Sequence, residues 1–290
     1  IVARYSHGQL LVVDRLREMV QLRMGLDRKR RLTLEVRERA LACLLRFGER
    51  LRDIPASQLR VVGTNTLREL KDKGEFIAAA EEALGHSIDI ISGIEEARLV
   101  YLGALTSMPL EDARSLVVDI GGGSTEVMIG VGNELQHTVS FPFGAVVLTE
   151  TELHRDPPRP EELTNTIGFV TDFMDDLVRE QPQVLEATRV VGVAGTIVTI
   201  AAVELGIARF DPVALHGMTL TREAAEDVFR TLATESLADR KSNPGLPAER
   251  ADVIVGGCCA LVGIMRRLRL PSITVSVHNL LDGVVQHILD

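Results

Sequence analysis

The stretch Leu116–Gly130, LVVDIGGGSTEVMIG, decides how the rest of the chain is read. Leu116-Val117-Val118 is an apolar, strand-forming run of the kind that is buried in a sheet. Asp119 stands at its end, Gly121-Gly122-Gly123 follow, and Ser124, Thr125 and Glu126 lead into a second apolar run, Val127-Met128-Ile129. Successive glycines remove every Cβ where the chain turns, so backbone N–H groups can lie directly against a phosphate. The pattern is strand, glycine-rich turn, strand. It is therefore a hairpin, and neither a dinucleotide-binding turn nor a Walker loop, both of which run from strand into helix.

The residues flanking the glycines carry the chemistry. A phosphate held by amides and hydroxyls keeps charge that a divalent cation shares, and Mg2+ takes one or two carboxylates together with substrate oxygens. Asp119 and Glu126 bracket the loop as such ligands. The plainer reading is a tight hairpin in which Asp119 bonds the turn while Ser124 and Thr125 bond backbone. A bare run of glycines does not separate the two; Asp-x-Gly-Gly-Gly-Ser-Thr-Glu between two strands favours the phosphate site.

Composition sets the outer bounds. A length of 290 residues suggests two domains, and 46% hydrophobic content suffices for two cores, packed by Leu, Val, Ile and Ala because Trp is absent. The net charge of −9 argues against a general nucleic-acid binder, whose affinity comes mostly from Lys and Arg on phosphates. A polyanionic substrate would have to be attracted by a local site and a metal. Cys43, Cys258 and Cys259 have no CxxC spacing and read as buried thiols in a reducing compartment. No apolar run reaches membrane-spanning length and the start shows no signal-peptide pattern, so a cytoplasmic protein without a membrane partner is expected. The seven histidines are scattered and read as structural.

Taken in order, Ile1-Val2-Ala3 and Leu10–Val13 read as a hairpin joined at His7-Gly8. Arg15 to Arg31 is basic, a solvated loop or the lining of a long anion's path. A helix capped by Thr33 runs to about Arg52 with Leu34, Ala40, Leu41, Leu44, Leu45 and Leu51 expected inside. The strand Leu59–Val62 ends in Gly63-Thr64-Asn65-Thr66-Leu67-Arg68, where Arg68 can clamp an oxyanion. A helix at about Glu75–Leu84 and a strand at Ile88–Ile91 follow. Glu95 and Glu96 precede a helix expected at Ala97–Leu105. Carboxylates at a helix start are ordinary, but a phosphoanhydride hydrolase needs a base to orient water. Beyond the hairpin come a strand at Gln136–Ser140, a turn at Phe141–Ala145 and a core-facing helix near Glu161–Arg179. Arg189–Thr196 is a second glycine-interrupted strand end, with Gly195 and Thr196 placed to cradle phosphate. Helices near Arg222–Thr231 and Ala248–Arg267, a strand at Ser272–Val277 and a last helical turn at Gly283–Leu289 close the chain.

VVGTNTLRE, ISGIEEARLVYLGA, LVVDIGGGSTEV, FPFGAVVLTE, VVGVAGTIVTIAA and ERADVIVGGCCAL, in that order, resemble the Ppx/GppA family of exopolyphosphatases and guanosine pentaphosphate phosphohydrolases. The resemblance implies an α/β fold of two RNase H-like domains, of the actin, hexokinase and Hsp70-like superfamily, with the active site in the cleft between them. The expected N-terminal domain is 1–98 with 280–290, and the expected C-terminal domain 99–279. The resemblance makes Glu96 the base that orients water, with Glu95 in support. Asp119 and Glu126 fall at the metal positions and Gly121, Gly122, Gly123, Ser124 and Thr125 in the phosphate loop. Arg68 faces the substrate phosphates, and Gly144, Gly195 and Thr196 lie in further loops of the cleft. Two features depart from the family pattern: an Asp-x-Gly-x-Asn-Ser-type first loop precedes the point where this sequence starts, and Leu281-Asp282-Gly283 stands where an Arg-Glu-Gly triplet is usual.

The implied activity is Mg2+-dependent removal of terminal phosphate from inorganic polyphosphate. The alternatives are hydrolysis of the 5′ γ-phosphate of guanosine pentaphosphate, a polyphosphate- or nucleotide-sensing module without turnover, and, more distantly, an actin-like filament protein. The expected partners are polyphosphate or guanosine pentaphosphate, with a homodimer allowed and no nucleic acid.

Overall fold

The computed structural model describes residues 1–6, 9–18, 20–71, 73–107, 113–132 and 134–289. They form two compact units, Ile1–Glu96 with Val284–Asp290, and Ala97–Gly283. The expected link at His7-Gly8 lies outside the described residues.

In the first unit β1 (Val2–Ser6) pairs antiparallel with β2 (Gln9–Asp14). After them come α1 (Leu34–Leu51), β3 (Val62–Gly63), α2 (Asn65–Glu69) and α3 (Lys73–Leu84). β4 (Asp89–Ile90) pairs parallel with β3, and α4 (Gly93–Ser107) begins here. The inner face of α1 differs from the one expected. Leu34 and Leu45 are 71% and 54% exposed, while Val36, Ala40 and Cys43 are buried. Spacing of four and three residues keeps these on one stripe, so Leu34 and Leu45 are rotated off it. The basic stretch behaves as a closed surface loop. The Asp27 carboxylate accepts the Lys29 and Arg31 N–H groups at 2.8 Å each, Leu26 bridges to Leu32, and Arg23 pairs with Glu69 at 3.4 Å.

The second unit holds β5 (Arg114–Ile120), β6 (Thr125–Val131), β7 (Glu134–Phe141), α5 (Ala145–Glu152), α6 (Pro160–Glu180), β8 (Arg189–Val193) and α7 (Ala194–Glu204). It continues with α8 (Pro212–Leu215), β9 (Thr219–Thr221), α9 (Arg222–Thr234), α10 (Leu237–Arg240), α11 (Ile254–Arg267), β10 (Ser272–Val275) and α12 (Leu280–Leu289). One sheet runs in the order β7-β6-β5-β8-β10-β9. β5, β8 and β10 are parallel, while β6, β7 and β9 each pair antiparallel with their neighbours. An antiparallel meander on one side of the first strand and parallel crossovers on the other is the RNase H-like order, with β9 added at the edge.

The central strand β5 is buried on both faces. Leu116, Val118 and Ile120 point into the larger core with α5, α6, α7, α9 and α11, and Val117, Met128, Val191 and Val193 meet Ala97, Val100, Tyr101 and Ala104 of α4. Alternation along β5 therefore sends Asp119 to the α4 face. α11 is buried from Ile254 to Met265, which encloses Cys258 and Cys259. Burial pushes the Cys259 thiol up to about 12, the Cys258 thiol higher still and the Cys43 thiol to about 11. Because the thiolate is the reactive species, native protein at pH 8 should release less than one equivalent of thionitrobenzoate from Ellman's reagent in about an hour. After unfolding it should release three, one for each free cysteine. Rapid release of two or more equivalents from the native protein would show that α11 opens, since only Cys43 lies outside it. Among the described residues no helix is long and apolar enough to cross a membrane.

Candidate active site

The glycine turn is seated on the start of α5. Gly121 N–H donates to the Ser124 carbonyl at 3.0 Å and closes the turn. The first amides of α5 then reach across to it: Ala145 N–H to the Gly121 carbonyl at 2.9 Å, and Val146 and Val147 N–H to the Gly122 carbonyl at 2.9 and 3.2 Å. These are the amides a helix start leaves without intrahelical partners. A trans peptide points its C=O and N–H in opposite directions, so drawing those carbonyls toward α5 turns the N–H groups of Gly122 and Gly123 the other way. Neither amide, nor the half-buried Ser124 hydroxyl, has a hydrogen-bond partner among the described residues. The result is a short row of donors facing away from the helix, suited to an anion.

Two residues of the expected cradle serve the scaffold instead. Thr125 is fully buried and its hydroxyl donates to the Phe143 carbonyl at 2.8 Å, which ties the turn to the 141–144 loop. Its position opposite Ile120 in the ladder sends it to the core face. Gly144 is needed for closeness: a Cβ there would lie 2.6 Å from the Gly121 oxygen and 2.7 Å from the Gly122 carbonyl carbon and oxygen.

The carboxylates sit side by side. Asp119 and Glu126 are directly paired across β5 and β6, and Glu126 is paired across to Ser140 of β7. Residues paired in a ladder share a face, so Asp119, Glu126 and Ser140 line up at the strand ends on the α4 side. Asp119 is half-buried, Glu126 is 5% exposed, and the Ser140 hydroxyl donates to Glu126 Oε1 at 2.8 Å. Two carboxylates held together by a sheet form a donor set that fits a hard divalent cation. Among the described residues no group of three or more His, Cys, Asp or Glu converges, so water and substrate oxygens would complete any coordination.

A second glycine-containing turn lies one strand over, since Val193 of β8 is the ladder partner of Asp119. Ala194 adopts φ 66°, a strained conformation for a residue with a Cβ, and α7 starts there. Gly195 leaves room for Arg250: a Cβ would lie 2.1 Å from Nη2 and 2.7 Å from Cζ. Thr196 is 2% exposed, with its methyl beside Gly257, so it packs rather than faces outward. Arg250 carries a charge to this turn that the sequence reading left without a role, although the residue stands inside the ERADVIVGG stretch.

In the first unit Arg68 and Glu96 meet. Arg68 Nη1 donates to Glu96 Oε2 and to the Ile91 carbonyl, at 2.8 and 2.9 Å, with the two side chains 26% and 17% exposed. α4 begins at Gly93, four residues before the expected start, so both glutamates lie in its first turn. Ser92 caps it: its hydroxyl accepts the Glu95 N–H at 3.1 Å and its carbonyl the Glu96 N–H at 2.9 Å. The arginine expected to face phosphate thus also holds the expected base. One histidine has a well-defined structural contact. His278 Nδ1 lies 3.0 Å from Oδ1 of the fully buried Asp282, whose Oδ2 accepts the Asn279 N–H at 3.0 Å. This ties the Leu281-Asp282-Gly283 departure to the start of α12.

An RNase H-like α/β scaffold with bare main chain and paired carboxylates at its strand ends is an arrangement suited to a phosphoryl group. Residues 1–290 match the Ppx/GppA phosphatase family, and the chain belongs to it. It is 34% identical over 288 residues to the guanosine-5′-triphosphate,3′-diphosphate pyrophosphatase of Vibrio cholerae serotype O1, covering 98% of this chain and 56% of that protein. It is 31% identical over 291 residues to exopolyphosphatase 2 of Mycobacterium tuberculosis, covering 97% and 91%. The chain therefore spans little more than half of the first relative and most of the second. The structure of the Ppx/GppA enzyme of Aquifex aeolicus is similar with a TM-score of 0.86 at 27% identity, covering 99% of this chain and 94% of that one.

Proposed function

We propose that the protein is an exopolyphosphatase, hydrolysing the terminal phosphoanhydride bond of inorganic polyphosphate and releasing orthophosphate. The observation that carries this reading is the pair of Gly122 and Gly123 amides turned away from α5 beside the paired Asp119 and Glu126. The amides and Ser124 hold the terminal phosphoryl oxygens and stabilise the charge that spreads over them as the bond breaks. Glu96, held at one oxygen by Arg68, accepts a proton from the attacking water through the other. Remaining N–H groups of Arg68 and the Arg250 guanidinium bind further phosphate oxygens. Asp119 and Glu126 would hold Mg2+, which when bound offsets phosphate charge. A cytoplasmic location suits its unpaired thiols.

The Vibrio relative's name supports a second reading, hydrolysis of guanosine pentaphosphate. Phosphate release from long-chain polyphosphate and from guanosine pentaphosphate, assayed side by side, separates the two. Polyphosphate is expected to be the faster substrate, and chelation by EDTA to lower turnover by about two orders of magnitude, restored by added Mg2+. Faster release from guanosine pentaphosphate would favour the second reading. Tight binding without release from either would mark a sensor.

A further inference from the structure

Arg60, just ahead of β3, has no part in the reaction described above. Its Nη2 lies 2.9 Å from Asp89 Oδ2 and 3.7 Å from Glu95 Oε1, while Nη1 is buried without a hydrogen-bond partner among the described residues. A charged donor buried without an acceptor is costly. The pair with Asp89, whose side chain is 55% exposed, returns little of that. Stability alone does not explain the placement.

Its effect on two like charges does. Glu95 and Glu96 are consecutive in the first turn of α4, so their side chains leave the helix about 100° apart. Arg60 faces Glu95, Arg68 holds Glu96 at 2.8 Å, and Ser92 fixes the backbone beneath both. We propose that Arg60 is a positioning residue: by holding Glu95 on its own side it leaves Arg68 to Glu96 alone and keeps Glu96 aimed at water. The inference rests on the reading of Glu96 as the base. Without Arg60, Glu95 competes for Arg68, and fewer molecules hold Glu96 in the productive orientation.

The test is a double-mutant cycle on phosphate release from polyphosphate. Arg60→Ala should lower kcat about tenfold with KM changed less than about twofold. Arg60→Lys, which keeps the charge, should recover most of that loss. In a Glu95→Gln background, with no charge left to hold, Arg60→Ala should have no further effect on kcat. Unchanged kcat in Arg60→Ala, or the same fold-loss in both backgrounds, overturns the proposal. Should Arg60→Ala fail to fold, Arg60→Gln carries the same comparison. Full turnover in Glu96→Gln is a separate outcome, since it removes the base itself and not only its positioning.

Discussion

Glu96→Gln should lower kcat for phosphate release by about two to four orders of magnitude, the range for removing a positioned general base. The amide keeps the size of the side chain, and its oxygen can still accept from Arg68 Nη1, which also donates to the Ile91 carbonyl. The first turn of α4 stays capped by Ser92. Melting temperature and KM should therefore stay close to those of the parent protein, so that the loss falls on the chemical step. Turnover within about threefold of the parent would take Glu96 out of the mechanism.

Gly144→Ala should have the largest effect on the scaffold. The added Cβ would lie 2.6–2.7 Å from three backbone atoms of Gly121 and Gly122. No side chain can move to relieve that, so α5 must retreat from the turn. The bonds from Ala145, Val146 and Val147 to the two carbonyls lengthen with it, and the Gly122 and Gly123 amides lose the constraint that turns them outward. A loss of about 3 kcal/mol in urea unfolding is expected, at the upper end for overpacking, with turnover at least about tenfold lower. Gly168→Ala is the control. Gly168 lies on the exposed side of α6 with nothing within 4 Å of an added Cβ. It should gain about 0.5–1 kcal/mol from helix propensity with activity unchanged. Equal stability losses in the two variants would show that α5 does not seat the turn.

The parts of the site that were legible in the sequence are those whose physics is local. The glycine turn could be placed because two alternating runs bracket residues that only a turn accommodates, and β5 and β6 extend the expected strands by a few residues at most. The paired carboxylates followed from the same hairpin. What could not be read depends on distant partners. Phe141–Ala145 reads as a turn, and nothing local marks the helix that follows it. α5 forms there because its first amides find the Gly121 and Gly122 carbonyls, more than twenty residues upstream. The Arg68–Glu96 pair spans 28 residues and has no periodic signature. Thr125 and Thr196 looked alike as hydroxyls beside glycines, and only the strand register and the neighbour at Gly257 show that both turn inward. Leu34 and Leu45 were misplaced because a helix rich in leucine offers more than one apolar stripe, and the core chose the one through Ala40.

The most direct test of the central claim is hydrolysis of long-chain polyphosphate in 18O-water with Mg2+, followed by mass spectrometry of both products. Water aimed at a terminal phosphoryl group predicts one 18O atom in each released orthophosphate and none in the shortened chain. Label in the remaining chain, or no release of orthophosphate, would contradict it.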